Sequence, residues 1–367
     1  MVLSMSESML EITKGNLLDA DVEALVNSVN TVGVMGKGIA LQFKRAFPEN
    51  FEAYERASKQ GEIVIGRVFS FETGRLRPKW ILNVPTKRHW RQPSRLDDVR
   101  KGLAALAAEI QRLGVRSIAV PPLGCGAGGL SWDVVRPLME RALGTLPTVE
   151  VKLFAPGKTP PPKAMQNRTS KPRMTPGRAA LLTLAGAYLD GGLDDNLTTL
   201  ELQKLAYFMQ EAGEELRLKY IEHHYGPYAD ALRKVLDVME GHYVSGLGDD
   251  AARPDAEVEL LPGAREEAEA LLANAESTKQ HIQKVLELIH GFEDSYGLEL
   301  LATTHWVMRH HPQAANDAEA AIARVLSWNP RKAGVFRPQH IQIAWQRLRD
   351  RGWVAAVGAQ AESAIGQ

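Results

Sequence analysis

Asn27-Ser-Val-Asn-Thr-Val-Gly-Val-Met-Gly-Lys-Gly-Ile-Ala-Leu-Gln-Phe-Lys-Arg-Ala-Phe47 is the stretch that decides the fold. An apolar run of β type, Val22 to Val29, enters it, and an amphipathic helical pattern from Lys37 to Ala46 leaves it. Between them Gly33, Gly36 and Gly38 permit positive φ and let backbone N–H groups come close to another molecule. Bare N–H groups at a helix N-terminus form an anion seat, most often for phosphate. A plain turn between strand and helix accounts for the same three glycines. The spacing is neither Gly-x-Gly-x-x-Gly directly after a strand nor Gly-x-x-x-x-Gly-Lys-Ser/Thr, so it supports neither a Rossmann fingerprint nor a Walker loop.

A second stretch repeats the design. Ser117-Ile-Ala-Val-Pro-Pro-Leu-Gly-Cys-Gly-Ala-Gly-Gly-Leu-Ser-Trp132 is an apolar strand, then glycines, then a helix start at Ser131 or Trp132. Two strand–glycine–helix units in one α/β domain can close on a single ligand from opposite sides, and a diphosphate fits that description. With Gly15-Asn16-Leu17, Val26-Asn27-Ser28-Val29-Asn30 and Leu123-Gly124-Cys125-Gly126-Ala127-Gly128-Gly129, the chain resembles the macrodomain family, which binds ADP-ribose. Asn83-Val84-Pro85-Thr86-Lys87-Arg88-His89-Trp90 narrows the likeness. Over roughly residues 9 to 156 the chain is similar to DNA ADP-ribosyl glycohydrolase antitoxins, partners of toxins that ADP-ribosylate thymine in single-stranded DNA.

The resemblance implies a site. Asn16, Leu17, Asn30, Gly33, Val34, Met35, Gly36, Gly38, Ile39, Thr86, Gly124, Cys125, Gly126, Ala127, Gly128 and Gly129 would hold ADP-ribose. Asn30 would meet a ribose hydroxyl, with Asn27 supporting the loop from the strand end. Asn16 stands where many macrodomains carry an aspartate that accepts the adenine amino group; its amide oxygen still accepts, without charge. Lys87 is implied as the catalytic residue. Its amine is nucleophilic only when deprotonated, which a neighbouring cation such as Arg88 or partial burial would favour. It could attack the anomeric carbon as thymine departs through N3, or orient and activate water. Arg88, His89, Trp90 and Arg91 combine cations with an aromatic ring and are expected to contact DNA. One departure matters. A related glycohydrolase that acts on protein-linked ADP-ribose carries an aspartate within the second loop, and here Gly128 stands at that position.

Composition bounds the rest. At 367 residues and 44% hydrophobic content the chain has material for two ordinary cores. One cysteine excludes an internal disulfide framework and a Cys-based metal site, and Cys125 reads as packing beside its loop. His223-His224, His305 and His310-His311 lack a helical four-residue pair with a nearby acidic ligand, so no metal is expected. No cofactor is expected either. Met1 to Ser8 reads as a short polar tail, and the longest apolar stretch, Ala179 to Leu189, is too short to span a bilayer. A cytoplasmic protein is expected. The net charge of zero conceals an asymmetry: residues 1–177 hold 26 Lys and Arg against 16 Asp and Glu, and residues 178–367 hold 18 against 28. A basic half suits nucleic acid and an acidic half suits a basic partner.

Along the chain, strands are expected at Leu10–Lys14, Ala24–Val29, Arg67–Phe71, Trp80–Val84, Ser117–Val120 and Val149–Phe154. Helices are expected at Lys37–Ala46, Phe51–Gln60, Leu96–Leu113 and from Trp132. This alternation gives a layered α/β domain over residues 1–156, which the resemblance sharpens to a three-layer α/β/α macrodomain. Residues 157–177 are rich in proline and basic residues with no acid, and read as an extended linker. Residues 178–367 read as a mostly α-helical domain. Thr198-x-x-Glu201 and Ser277-x-x-Gln280 look like capping boxes, and helices are expected at Tyr228–Met239, Ala264–Ala273, Leu298–Arg309, Asp317–Leu326 and Gln339–Arg349. The run Glu201-Leu-Gln-Lys-Leu-Ala-Tyr-Phe-Met-Gln with Tyr225-Gly-Pro-Tyr resembles a helical antitoxin domain that binds toxins.

The reading is an antitoxin enzyme. It would remove ADP-ribose from thymidine in single-stranded DNA, release ADP-ribose, and bind a cognate DNA ADP-ribosyltransferase toxin (DarT-like) through its C-terminal domain. The alternative is a non-catalytic ADP-ribose reader fused to a toxin-binding domain. A bare toxin binder with a vestigial macrodomain fits the intact glycine loops poorly.

Overall fold

The structure, a computed structural model, describes residues 9–157, 160–191, 196–248 and 253–354. The expected tail Met1–Ser8 and the acidic pair Asp249-Asp250 lie outside the described residues. The chain divides into two compact units, residues 1–170 and 171–367.

The first unit runs β1 (Leu10–Thr13), a 3-10 turn (Leu17–Asp19), β2 (Ala24–Asn30), α1 (Gly38–Ala46), α2 (Pro48–Lys59), β3 (Phe69–Glu72), β4 (Trp80–Lys87), α3 (Leu96–Leu113), β5 (Ser117–Val120), α4 (Trp132–Leu143) and β6 (Glu150–Phe154). Its six strands form one sheet in the order β1-β6-β5-β2-β4-β3, parallel except for β3 against β4. Helix α1 ends at Ala46, before Pro48, which opens α2 at a position that needs no backbone N–H.

Period-two alternation along buried strands sends side chains to opposite faces. Ala24, Val26, Leu82 and Val84 meet Val99, Leu103, Leu106 and Ile110 of α3 and Val135 and Met139 of α4. Leu25 and Ile81 meet Phe43, Ala46 and Phe47 around α1. Helices on both faces of a mostly parallel sheet make the three-layer α/β/α macrodomain architecture. The apolar stripe on α3 sits at helical spacing, and each fully buried Leu, Ile or Val is worth roughly 1.5–3 kcal/mol. The helix stops at Gly114, whose φ of 66° is the left-handed C-terminal cap.

The second unit is mostly helical: α5 (Pro176–Gly191), β7 (Leu197–Thr198), α6 (Thr199–Glu211), β8 (Ile221–His223), β9 (Gly226–Tyr228), α7 (Asp230–Met239), β10 (Val244–Ser245), β11 (Glu257–Leu260), α8 (Ala264–Leu271), α9 (Glu276–Ile289), α10 (Ser295–His310), α11 (Pro312–Asn316), α12 (Ala318–Leu326), α13 (Pro330–Val335) and α14 (Pro338–Asp350). Thr198 caps α6 as expected: its hydroxyl accepts from Glu201 N at 3.2 Å, and Glu201 accepts from Thr198 N at 2.6 Å. Ser277 does not cap α9. That helix begins at Glu276 behind Ala275, with no side-chain cap, so Ser277 is already inside the first turn.

The antitoxin-like motif is interior framework. Lys204, 1% exposed, donates to the Pro227 carbonyl at 2.8 Å, and Gln203 exchanges two hydrogen bonds with the Ala229 backbone. The first tie fastens α6 to β9 and the second to the N-cap residue of α7 just beyond it. Beside them Glu299, 2% exposed, accepts from Lys332 at 2.7 Å and from both terminal nitrogens of Arg331. Burial, and then Lys332 nearby, bring the Lys204 pKa down to about 7; burial brings Lys332 down to about 8 against the pull of Glu299.

Residues at the junction are fixed to each unit separately. Gln166 Nε2 donates to Asp19 Oδ1 at 3.1 Å and Arg168 N to the Arg45 carbonyl at 2.8 Å. Lys171 pairs with Glu267 at 2.5 Å, and the Pro172 carbonyl accepts from Tyr243 at 2.7 Å. Helix α5 starts at Pro176, inside the stretch read as linker.

Candidate active site

The site is built at the carboxyl ends of β2, β4 and β5. Its floor is a buried amide chain. Asn27 Nδ2 donates to Asn83 Oδ1 at 3.0 Å, and Asn83 Nδ2 donates to Asn50 Oδ1 at 2.8 Å and to the Phe69 carbonyl at 3.2 Å. All three asparagines have 0% exposure. They join β2, β4, α2 and β3; the sequence reading gave a role to Asn27, quoted Asn83 only within a motif, and passed over Asn50. A polar residue within each buried apolar run is the signal that would find Asn83.

At Asn30 the chain turns into the first glycine loop, and the Asn30 side chain holds that loop. Its Oδ1 accepts from Val32 N at 3.0 Å and Val34 N at 3.2 Å, and its Nδ2 donates to the Val34 carbonyl. Tyr54, fully buried, donates to the Asn30 carbonyl at 2.5 Å; burial raises its pKa well beyond the ordinary phenol range and keeps the donor protonated. Gly33 has φ +78°, and a Cβ there would lie 3.2 Å from Ser58, so this position admits only glycine without strain. The loop delivers the chain to α1, whose N-cap residue Lys37 supplies no side-chain cap hydrogen bond. A helix N-terminus without a side-chain cap can seat an anion.

The second loop follows β5. It is cross-braced by Cys125 N to the Pro122 carbonyl, Gly129 N to the Gly126 carbonyl and Leu130 N to the Gly124 carbonyl, all at 3.0–3.1 Å. The N–H groups of Gly126, Ala127 and Gly128 have no hydrogen-bond partner among the described residues. Gly126 and Ala127 are exposed, and nothing lies within 4 Å of a Cβ placed on Gly126. Gly128 is the reverse. A Cβ there would lie 2.2 Å from the Gly124 carbonyl oxygen and 2.4 Å from Ser94 Oγ, and its carbonyl accepts from Ser94 N at 2.9 Å. An aspartate at this position has no room. Burial pushes the Cys125 thiol up to about 11, so it stays protonated at neutral pH.

Lys87 lies between the loops. It ends β4 opposite Asn30, where the register shifts, and its carbonyl accepts from Thr31 N at 3.0 Å. Its ammonium donates to the Ala127 carbonyl. Partial burial lowers its pKa from the ordinary lysine value. Arg88 is not the cause, because it turns the other way: Nε and Nη2 meet the two oxygens of Asp98 at 3.2 and 3.1 Å. Asp98 is 2% exposed, and no spacing in the sequence announced it.

Beyond Arg88 the surface is aromatic and cationic. His89 and Trp90 stack at 5.5 Å, the Arg91 guanidinium lies 4.5 Å over the Trp90 ring, and Trp90 is 46% exposed. At the other end of the site, Asn16 Oδ1 accepts from Leu18 N at 3.2 Å, capping the 3-10 turn, and Nδ2 donates to Asp19 Oδ2 at 3.0 Å. Of the other expected ligand contacts, Leu17, Gly33, Met35, Thr86 and Gly124 are buried, and Thr86 is hydrogen-bonded to Ser28 at 2.8 Å. These lie below the surface. Val34, Gly36, Gly38, Ile39, Cys125 and Gly129 reach the surface in whole or in part. Among the described residues no three His, Cys, Asp or Glu side chains gather into a metal-binding group, and no helix is long and apolar enough to cross a membrane.

The Macro domain family model matches residues 26–139. The DNA ADP-ribosyl glycohydrolase of Thermus aquaticus is 48% identical over 345 residues, covering 94% of this chain and 94% of that protein. That of Mycobacterium tuberculosis is 42% identical over 353 residues, covering 93% and 99%. The solved macrodomain of Mycobacterium tuberculosis DarG is 52% identical and covers 41% of this chain and 100% of its own, with a TM-score of 0.41. Identity of this extent across both units makes the chain a member of the DNA ADP-ribosyl glycohydrolase family.

Proposed function

We propose that the chain hydrolyses the N-glycosidic bond joining ADP-ribose to thymidine in single-stranded DNA. This reading is carried by one observation: the Lys87 amine sits between two glycine loops, partly buried, against the Ala127 carbonyl. The α1 N-terminus and the N–H groups of Gly126, Ala127 and Gly128 clasp the diphosphate. The 3-10 turn at Asn16 and Leu17 receives adenosine, and the distal ribose lies toward Lys87. Asn30 serves it indirectly by holding the first loop.

With its proton gone, the Lys87 nitrogen attacks the anomeric carbon as the bond to thymine N3 breaks. The electron pair leaves with the imide, which delocalises it over two carbonyls and takes up a proton. Water then displaces the lysine and releases ADP-ribose. In the water route the same amine accepts the proton of the attacking water. Borohydride separates the two, since only a lysine–sugar adduct can open its ring to an imine that is reduced to a stable mass increment on the protein. His89, Trp90 and Arg91 offer DNA bases a stacking surface and phosphates a cation.

The second unit binds the cognate DNA ADP-ribosyltransferase toxin. Residues 178–330 contain 12 Lys and Arg against 26 Asp and Glu, a charge suited to a groove that holds DNA. The deciding experiment incubates the protein with ADP-ribosylated single-stranded DNA and measures the released sugar by mass. Retained ADP-ribose binding without release would leave a reader in place of an enzyme.

A further inference from the structure

The second unit contains a cleft of about 270 Å³ between α6, the residues entering β8, and α10. Tyr207 forms its floor, edge-on to Tyr220 at 5.0 Å and 6.3 Å from Trp306. Trp306 stacks under His310 at 3.9 Å and 23°. Glu211 supplies one carboxylate, its side chain 24% exposed, and Arg309 faces it with Nε 3.6 Å from Oε2. The Tyr220 hydroxyl is buried and has no hydrogen-bond partner among the described residues.

The chemistry of this set is specific. Aromatic faces attract cations, and a planar guanidinium stacks on them better than an ammonium does. A carboxylate takes two of its five N–H groups side by side, and a hydroxyl oxygen without a partner can take another. The volume lies at the lower edge of the roughly 300–1,000 Å³ of sites for drug-sized ligands, room enough for one long side chain. The net charge of residues 178–330 draws basic molecules toward this unit.

We propose that the cleft receives an arginine side chain from the basic protein that the second unit binds, which rests on the toxin-binding reading above. In the free chain Arg309 keeps Glu211 company at a distance too long for a direct hydrogen bond, and the incoming guanidinium displaces it. This gives two substitutions opposite signs. Glu211→Gln removes the anion and weakens binding, whereas Arg309→Gln removes the competitor and strengthens it. A merely structural role would weaken both.

The test uses the full chain and two probes. The first is acetyl-Gly-Arg-Gly-amide beside its neutral citrulline counterpart, titrated by calorimetry. The arginine peptide should bind at least about tenfold more tightly than the citrulline one, and Tyr220→Phe, which deletes only an oxygen, should cut its affinity several-fold. The second is the purified toxin, for which Glu211→Gln should lower and Arg309→Gln should raise affinity, each by several-fold or more. Equal binding of the two peptides overturns the proposal. So does toxin binding untouched by both substitutions, or a mononucleotide that binds better than the arginine peptide. If the wild-type chain fails to bind toxin at all, the toxin-binding reading falls, and the peptide pair still judges the cleft.

Discussion

The Lys87 ammonium donates to the Ala127 carbonyl, which fixes the amine at the carboxyl end of β4 to the loop whose Gly126, Ala127 and Gly128 N–H groups have no hydrogen-bond partner among the described residues. In the reaction proposed above, the reacting group and the anion seat are held by the same few atoms. Lys87→Ala should keep ADP-ribose affinity within a few-fold and abolish removal of ADP-ribose from DNA, because diphosphate and adenosine contacts supply most of the binding. Calorimetry paired with a release assay checks it; a mutant near the wild-type rate removes Lys87 from the chemistry.

The pH profile follows from the direction of the Lys87 shift. Burial lowers its pKa, so the reactive neutral amine gains population below the ordinary lysine range. The logarithm of kcat/KM should rise with pH and level off below the titration of an ordinary lysine. A rise continuing through pH 10.5 would assign the limb to another group.

Gly126 and Gly128 should respond differently to the same change. Gly126→Glu places a side chain in open space and should abolish ADP-ribose binding while leaving the melting temperature nearly unchanged. Gly128→Ala forces a Cβ against the Gly124 carbonyl and Ser94, which should cost roughly 1–3 kcal/mol of stability and bend the loop. Thermal denaturation with and without ADP-ribose separates the two effects.

The second unit carries its own pH signature. Lys204 titrates at about 7 when folded against 10.5 ordinarily, and Lys332 at about 8. The unfolded chain binds more protons across that window, so stability should rise as pH increases from about 7 toward 10.5, by at most about 1.4 kcal/mol per pH unit for each lysine. Urea unfolding of Lys204→Met should show a flatter slope. Glu299→Gln should destabilise by about 3–5 kcal/mol, since it leaves Lys332 buried without its anion.

Toxin binding by the second unit should weaken as salt rises, and single-stranded oligonucleotides should compete with it. Part of the acidic charge is already partnered within the unit: Glu267 pairs with Lys171 and accepts from Tyr243, and Glu269 pairs with Arg265. Tight binding that leaves DNA modification running would overturn the reading that the second unit occupies the toxin's DNA groove.

Much of the first unit was legible because its signals are local. The α3 stripe and Gly114 fix a helix at Leu96–Leu113, and the glycine loops announce themselves by composition. What stayed hidden depends on partners far along the chain. Arg88 reads as a free cation until Asp98 appears beside it, and nothing local announces that Asn30 holds its own loop through Val32, Val34 and Tyr54. In the second unit the strands β7 to β11 have two to four residues each, too few for alternation to register. Ser277 shows the reverse error, a capping pattern without a cap.

The amide chain Asn27–Asn83–Asn50 has a consequence for assembly. Around Asn83, β4 reads Ile81-Leu82-Asn83-Val84, buried and apolar on both faces, so hydrophobicity alone would accept β4 against β2 shifted by one residue. A shift would set Leu82 or Val84 against Asn27 and strand amides in an apolar layer, at roughly 1–3 kcal/mol for each group left unpaired. The asparagines thus act as a key that only the native alignment turns. Since Lys87 lies four residues beyond Asn83 on the same strand, a sheet that mates correctly at the key has also aimed its amine.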